Sequence, residues 1–317
     1  MTSSAIRSTA NTTTTTQAAT GSYPVSRTYK LAGQSLATLE WGTEGADNKP
    51  TVLMLHGWLD NAASFHRLAP ALAADFHCIA LDWPGHGLSD WRADYPIWAY
   101  PQTLIEFIDR LGRKVHIIGH SMGAASAVLA APTLTAELQS LTLIDAVLPM
   151  TNPGEAAADN FRKAMEARKR LKPFRRHPGA EAALAARLKS SPDIEADSMR
   201  PLVERNLKTA TDTSNDSQTN GDTNVVWRMD PALRLPSAVR LTPDMATSFA
   251  KQICTPTLAI HADGGLFRAD TFQAMADSIP TAKSVGLAGH HHLHLDSRYC
   301  DGVIRAVRDF LESGVCV

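Results

Sequence analysis

Residues 119–123 read Gly-His-Ser-Met-Gly. A G-x-S-x-G run between a strand-like apolar segment, here KVHII, and a helical one, AASAVLAA, is the pattern of a nucleophile elbow. The glycines permit a sharp, strained turn in which bulkier neighbours would meet flanking backbone. The turn lifts the Ser121 hydroxyl above the carboxyl end of a sheet, where it can attack an acyl carbon. Five-residue patterns with three fixed positions match often by chance; the strand before and the helix after single this one out.

A nucleophilic serine needs a base to take its proton and a carboxylate to orient that base. On a strand-elbow-helix architecture the chain order is Ser, then Asp or Glu, then His. The histidines are concentrated late in the chain: AGHHHLHLDS, residues 288–297, holds four of the twelve within five positions. This run follows the apolar segment AKSVGLAG, where a base should stand. Two carboxylates are placed to orient it. Asp145 ends the segment SLTLID, and Asp263 follows TPTLAIHA.

The same run admits a metal reading, because HLHLD (292–296) matches the H-x-H-x-D core of zinc-dependent hydrolases. Zinc requires three or four ligands converging at fixed geometry. Here Ser297 follows the motif and no histidine lies downstream. A metal-dependent hydrolase built on residues 290–296 is therefore the weaker alternative. A non-catalytic ligand-binding protein on the same fold is another.

The oxyanion formed by serine attack needs backbone donors. HGWLD follows the strand-like TVLML, so His56, Gly57 and Trp58 would edge the crevice at the carboxyl end of a sheet. The N–H groups of Trp58 and Met122 are the candidate oxyanion donors. DWPGHGLSD (82–90) is dense in Pro and Gly and reads as a tight loop. Its Asp82 and His86 are expected to shape that loop rather than to react.

The elements that must position these residues follow from the apolar runs. SRTYKLAG and SLATLEWG read as a hairpin. TVLMLHG (51–57), HCIALD (77–82), KVHIIGH (114–120) and SLTLIDA (140–146) lack polar alternation, as strands buried on both faces of a parallel sheet do. NAASFHRLAPALAA and PQTLIEFIDRLG between them carry helical periodicity. The expected fold is therefore α/β, a mostly parallel sheet with helices on both faces. Residues 149–250 are helical in pattern and locally basic, most of all in FRKAMEARKRLKPFRR, which reads as a solvated helix face. They are expected to form a helical cap inserted after the strand ending at Asp145, with a flexible polar loop near 209–224. Residues 23–148 and 251–317 then form the core, closed by a helix over roughly 299–313. Residues 1–22, rich in Thr and Ser, lack an apolar stretch and read as a disordered tail, not a secretory signal.

Composition fits a chain that is mostly globular. Of 317 residues 44 % are hydrophobic, enough for a sizeable core, and the formal net charge is −1. That near-neutral balance gives no footprint for nucleic acid, and no run is long enough to span a membrane. The four cysteines lie far apart, without a disulfide or zinc-ribbon spacing, which fits reduced thiols and a cytoplasmic location.

HGWLDNAASF, ALDWPGHGLSD, GHSMGA and WRMDPALRLPS together resemble the α/β-hydrolase superfamily, and in particular its kraken-type, serine hydrolase-like branch. The resemblance covers residues 27 to 313. It implies a serine hydrolase that cleaves an ester or related acyl bond through an acyl-enzyme, without a cofactor. Acyl transfer and C–C bond hydrolysis use the same triad. In most superfamily members the acid follows the strand after the cap, in a pattern similar to I-x-G-x-x-D. On IHADGG that position falls on Gly265, not Asp263, so the resemblance favours Asp145. The superfamily's G-H-x-x-H-x-E pattern, counted back from Asp296, implies His291 as the base, with His290 as the next choice and His294 on the second histidine. The implied partner is a small ester or acyl compound; the substrate and the oligomeric state are not implied.

Overall fold

The computed structural model describes residues 23–210 and 224–313. The expected tail, and most of the expected polar loop, lie outside the described residues.

The chain opens with β1 (Val25–Leu31) and β2 (Gln34–Trp41), an antiparallel pair. β3 (Thr51–Leu55), α1 (Leu68–Leu72), β4 (His77–Leu81), α2 (Ala99–Leu111), β5 (Val115–His120), α3 (Met122–Ala130) and β6 (Leu138–Ile144) then alternate. The insertion holds α4 (Ala157–Lys169), β7 (His177–Pro178), α5 (Gly179–Leu188), α6 (Ala196–Arg205), β8 (Leu207–Thr209), β9 (Asn224–Trp227) and α7 (Pro243–Ala250). The alternation resumes with β10 (Thr257–Gly264), α8 (Ala269–Ala276), β11 (Ala282–His290) and α9 (Cys300–Glu312).

Among the described residues the main sheet has eight strands, in the order β1-β2-β4-β3-β5-β6-β10-β11. All neighbours from β4 to β11 run parallel, and β2 is antiparallel to both of its neighbours, β1 and β4. Every residue of β3 and of β4 is buried, because helices cover both faces and leave no wet side. Alternate residues of one strand serve opposite layers. Leu53, Leu55 and Ile117 pack with Phe107 of α2, Val128 of α3 and Phe272 of α8. Val52, Met54 and Ile118 pack with Leu68 of α1 and with Val303 and Val307 of α9.

Two elements differ from the sequence expectation. Residues 61–74, read as one helix, are a 3₁₀ turn at Ala62–Phe65 followed by the five-residue α1. Asn61 caps the turn by accepting from the Ala63 N–H, and Pro70 in the first turn of α1 has no N–H to continue the earlier turn. The insertion, read as helical, also contains a small antiparallel sheet in the order β7-β9-β8. Its strands have two to four residues, too few for a period-two pattern to stand out.

The insertion sits on the core through a satellite cluster in which Ala183, Leu184, Met199, Leu202 and Val203 meet Ala63 and Leu295. Cys78, Cys254 and Cys300 are free thiols. Among the described residues no helix is long and apolar enough to cross a membrane.

Candidate active site

β5 ends at His120 and α3 begins at Met122, so Ser121 alone makes the turn. It does so at φ 52° and ψ −117°, a conformation that costs a non-glycine residue on the order of 1–3 kcal/mol. Its N–H donates to Ile144 O of β6 at 3.0 Å, which ties the turn to the neighbouring strand. The flanking glycines are sterically required. A Cβ at Gly123 would lie 2.1 Å from Leu55 O, and one at Gly119 would lie 2.6 Å from the Ala124 nitrogen. Among the described residues, the non-glycine positions with positive φ are Leu59, Ser121 and Asp145. Each follows the carboxyl end of a parallel strand, and all three belong to this site. Strain concentrated in one place is a mark of function.

His291 follows β11 and faces the serine. Its Nδ1 is 2.7 Å from Asp145 Oδ2 and its Nε2 is 3.0 Å from Ser121 Oγ. A carboxylate only accepts, so Nδ1 carries the proton and the Nε2 lone pair accepts from the Ser121 hydroxyl. Asp145 is fully buried. Its carboxylate also accepts from the Ala262 N–H at 3.1 Å and the Leu266 N–H at 2.9 Å, while its own N–H donates to Ile260 O at 2.8 Å. The Asp145 carboxylate, just past the end of β6, is therefore gripped by β10 and the loop beyond it.

The competing candidates are engaged elsewhere. Asp263 accepts from the Gly289 N–H at 2.8 Å. His290 donates from Nε2 to Asp296 at 3.0 Å and accepts the His292 N–H on Nδ1 at 3.1 Å. His294 is buried with Nε2 2.7 Å from Ser64 Oγ, and burial foremost, then the charge of His292, holds its pKa well below the ordinary value. Asp296 receives His290 and a two-pronged contact from Arg298. His292, His294 and Asp296 thus point to three different partners. Among the described residues no three His, Cys, Asp or Glu side chains are arranged to hold a metal ion.

The loop after β3 lies directly against the elbow: a Cβ at Gly57 would stand 3.1 Å from Ser121 Cβ. The Trp58 backbone is therefore beside the serine, and Met122, first residue of α3, has an N–H without an intrahelical acceptor. Two neutral histidines set this loop. His56 donates from Nδ1 to Gly57 O at 2.7 Å and accepts the Trp83 N–H on Nε2 at 3.1 Å. His86 donates to Pro84 O at 3.0 Å and accepts the Leu59 N–H at 3.3 Å. Burial lowers their pKa values to about 4 and about 3, so both keep the tautomers these bonds demand. Asp82 accepts from the Ala62 and Leu88 amides at 2.7 and 2.9 Å and pairs with Arg205 of α6 at 2.8 Å.

Three residues at the site have no role in the serine-hydrolase assignment made from sequence. Asp60, quoted within HGWLDN but given no role, is buried and paired with Arg187 of α5 at 3.0 Å. His292 Nε2 stands 3.3 Å from the same carboxylate. His120, the variable residue of the elbow, donates from Nε2 to His291 O at 2.8 Å. No sequence signal separates a buried Asp in such a loop from a solvated one.

A strained serine at the strand-to-helix turn of a mostly parallel sheet, bonded to a histidine after the last strand, is the arrangement of α/β hydrolases. The chain belongs to that family: the alpha/beta hydrolase fold model matches residues 50–297. It is 27 % identical over 289 residues to the "Serine hydrolase-like protein" of Danio rerio, covering 84 % of this chain and 83 % of that one. It is also 27 % identical over 299 residues to a "Probable serine hydrolase" of Drosophila melanogaster, with 85 % and 86 % covered. These relatives place it in the serine hydrolase-like branch. Among solved structures, a hypothetical protein from Pseudomonas aeruginosa PAO1 superposes with a TM-score of 0.80 at 31 % identity, covering 90 % of this chain and 99 % of that one.

Proposed function

We propose that this protein is a serine hydrolase of carboxylic esters or related acyl bonds, with Ser121 as nucleophile, His291 as general base and acid, and Asp145 as the orienting carboxylate. The observation that carries the reading is the continuous chain from Ser121 Oγ through both nitrogens of His291 to Asp145.

The chemistry follows from the proton positions. His291 Nε2 takes the hydroxyl proton as Ser121 Oγ bonds to the acyl carbon, and the carbonyl oxygen becomes an oxyanion. The N–H groups of Trp58 and Met122 stabilise it, at about 3 kcal/mol per donor. Asp145 stabilises the imidazolium across the 2.7 Å bond. The imidazolium then protonates the leaving group, and the C–O bond breaks to leave the acyl-enzyme. Water, deprotonated by the same nitrogen, reverses the sequence and releases acid. The scheme calls for no cofactor.

An apolar substrate part is favoured by the side chains around the strand ends. Trp58 after β3, Met150 after β6 and Leu266 after β10 are between 52 % and 59 % exposed. Phe161 of α4 is likewise 52 % exposed. Exposed apolar groups at the strand ends beside the serine suit an apolar acyl or alcohol moiety.

The test is labelling with a fluorophosphonate, read beside turnover of p-nitrophenyl esters of increasing chain length. The wild type should label and hydrolyse, and Ser121→Ala should do neither. Active protein that does not label would sink the serine mechanism.

A further inference from the structure

Asp60 lies two residues after Trp58 and is 1 % exposed. Side chains from three separate parts of the chain converge on it. Arg187 of α5 donates to Oδ1 at 3.0 Å. On the other oxygen, His292 Nε2 stands at 3.3 Å and His120 Nδ1 at 3.9 Å. His120 donates through Nε2 to the His291 carbonyl, and burial, followed by the charges of His294, His291 and His292, keeps its pKa well below the ordinary value. In its neutral form Nδ1 carries the lone pair, so it offers Asp60 no proton. Arg187 is therefore the permanent counter-charge, and His292 packs beside the second oxygen. Burial alone would raise the Asp60 pKa, but His292 and then Arg187 hold it well below the usual carboxylate range.

A carboxylate this deep is tolerated only where its counter-charges reach it, since an uncompensated buried charge is strongly destabilising. That requirement fixes more than Asp60. Its N–H donates to Gly57 O at 3.2 Å and closes the turn that presents the Trp58 amide. The residue between them, Leu59, is held at φ 62°. On the other side, His292 is the chain neighbour of His291, and their rings pack edge to face at 5.0 Å.

We infer that Asp60 is a positioning residue for the reaction at Ser121: its ion pair with Arg187 and its contact with His292 hold the Trp58 amide and the His291 imidazole in register and couple both to the seating of α5. The inference rests on the serine-hydrolase reading. It makes the insertion part of the reaction geometry and not only a wall of the substrate pocket.

Asp60→Asn is nearly isosteric; it removes the charge and replaces one acceptor oxygen with an NH2 donor. In the folded variant kcat on p-nitrophenyl butyrate should fall about 10- to 100-fold, the scale of misplaced reacting groups. KM should stay within about threefold, because substrate binding is not touched. The acidic limb of kcat/KM should also move to lower pH, since losing a nearby negative charge disfavours the imidazolium. The groups facing His291 are Asp145, His120 and His292; those near Asp60 are His56, His86, His120, His292, His294 and Arg187. A merely structural role would lower Tm without moving that limb. His292→Asn, at a side chain 15 % exposed, should give the same kcat loss and keeps the test open where Asp60→Asn does not fold. Wild-type kcat and an unmoved limb in either folded variant, with the wild type active, would overturn this inference alone. A wild type inert to esters and to fluorophosphonate would overturn the hydrolase reading, and this inference with it.

Discussion

The carboxylate of Asp145 occupies the space that a side chain at Gly265 would need: a Cβ on Gly265 would lie 2.1 Å from Asp145 Oδ1 and 2.5 Å from Oδ2. The position after β10, where the commoner superfamily pattern has its acid, bears no side chain, and the Asp145 carboxylate fills that space from the end of β6. Asp145→Asn should accordingly lower kcat about 10⁴-fold by removing the group that fixes the His291 tautomer. Asp263→Asn should stay within about twofold of wild type, as an exposed surface change does. Comparable losses in both variants on p-nitrophenyl butyrate would refute this placement of the acid.

The same crowding makes Gly265→Asp harmful in the wild-type background, where two carboxylates would compete for one space. In the Asp145→Gly background that space is free. The double variant should recover at least about tenfold of the activity lost in Asp145→Gly, since orienting the base needs a carboxylate at Nδ1 rather than a particular strand. Single-turnover acylation rates for the three variants measure it. No recovery in a folded double variant counts against the idea.

His290 and His291 differ by one residue and by their partners. His291→Gln removes the base and should cost at least about 10⁴-fold in kcat. His290→Gln instead loses a hydrogen bond to the buried Asp296, a cost of about 1–3 kcal/mol in stability, with kcat within about threefold. Paired kcat and urea-midpoint measurements separate the two, and the reverse pattern would move the base by one position.

How far the sequence carried depends on how local each signal is. The elbow was legible because a single strained residue, Ser121, needs glycines at fixed offsets. The parallel strands were legible because burial on both faces leaves only apolar residues. The choice between Asp145 and Asp263 was left open by spacing alone and leaned on the family resemblance, since it turns on which carboxylate crosses from one strand end to the next. Asp60 was quoted and passed over for the same reason: its partners, Arg187 and His292, lie 127 and 232 residues away. The β7-β9-β8 sheet was missed because its strands are held by pairing between segments, not by a pattern within them.

Arg205→Met tests the second buried link between insertion and core. Asp82 is fully buried, and Arg205 of α6 is its salt-bridge partner. Removing one partner of such a pair costs about 3–5 kcal/mol, because the other charge stays buried and unpaired. The urea midpoint should fall accordingly, and Asp82→Asn combined with Arg205→Met should be less damaging than the two single effects added together. Strict additivity would show that the pair is not coupled.

Acid should destabilise the fold well before the carboxylates titrate. Burial lowers the His56 and His66 pKa values from 6.5 to about 4, and His120 and His294 move in the same direction. Between the two values the unfolded chain binds protons that the folded chain does not, so stability rises with pH across that window. The contribution is complete above pH 6.5 and is lost as pH falls towards 4, at about 1.4 kcal/mol per pH unit for each fully buried histidine. Asp60 and Asp296, whose folded values lie below 3.8, keep their contribution through this window and lose it only at lower pH. The urea midpoint should therefore drop between pH 7 and pH 5 without any change in ion-pair carboxylates. A midpoint that held or rose on acidification over that range would mean that these rings are protonated in the native state, contrary to the bonds that fix His56 between Gly57 O and the Trp83 N–H.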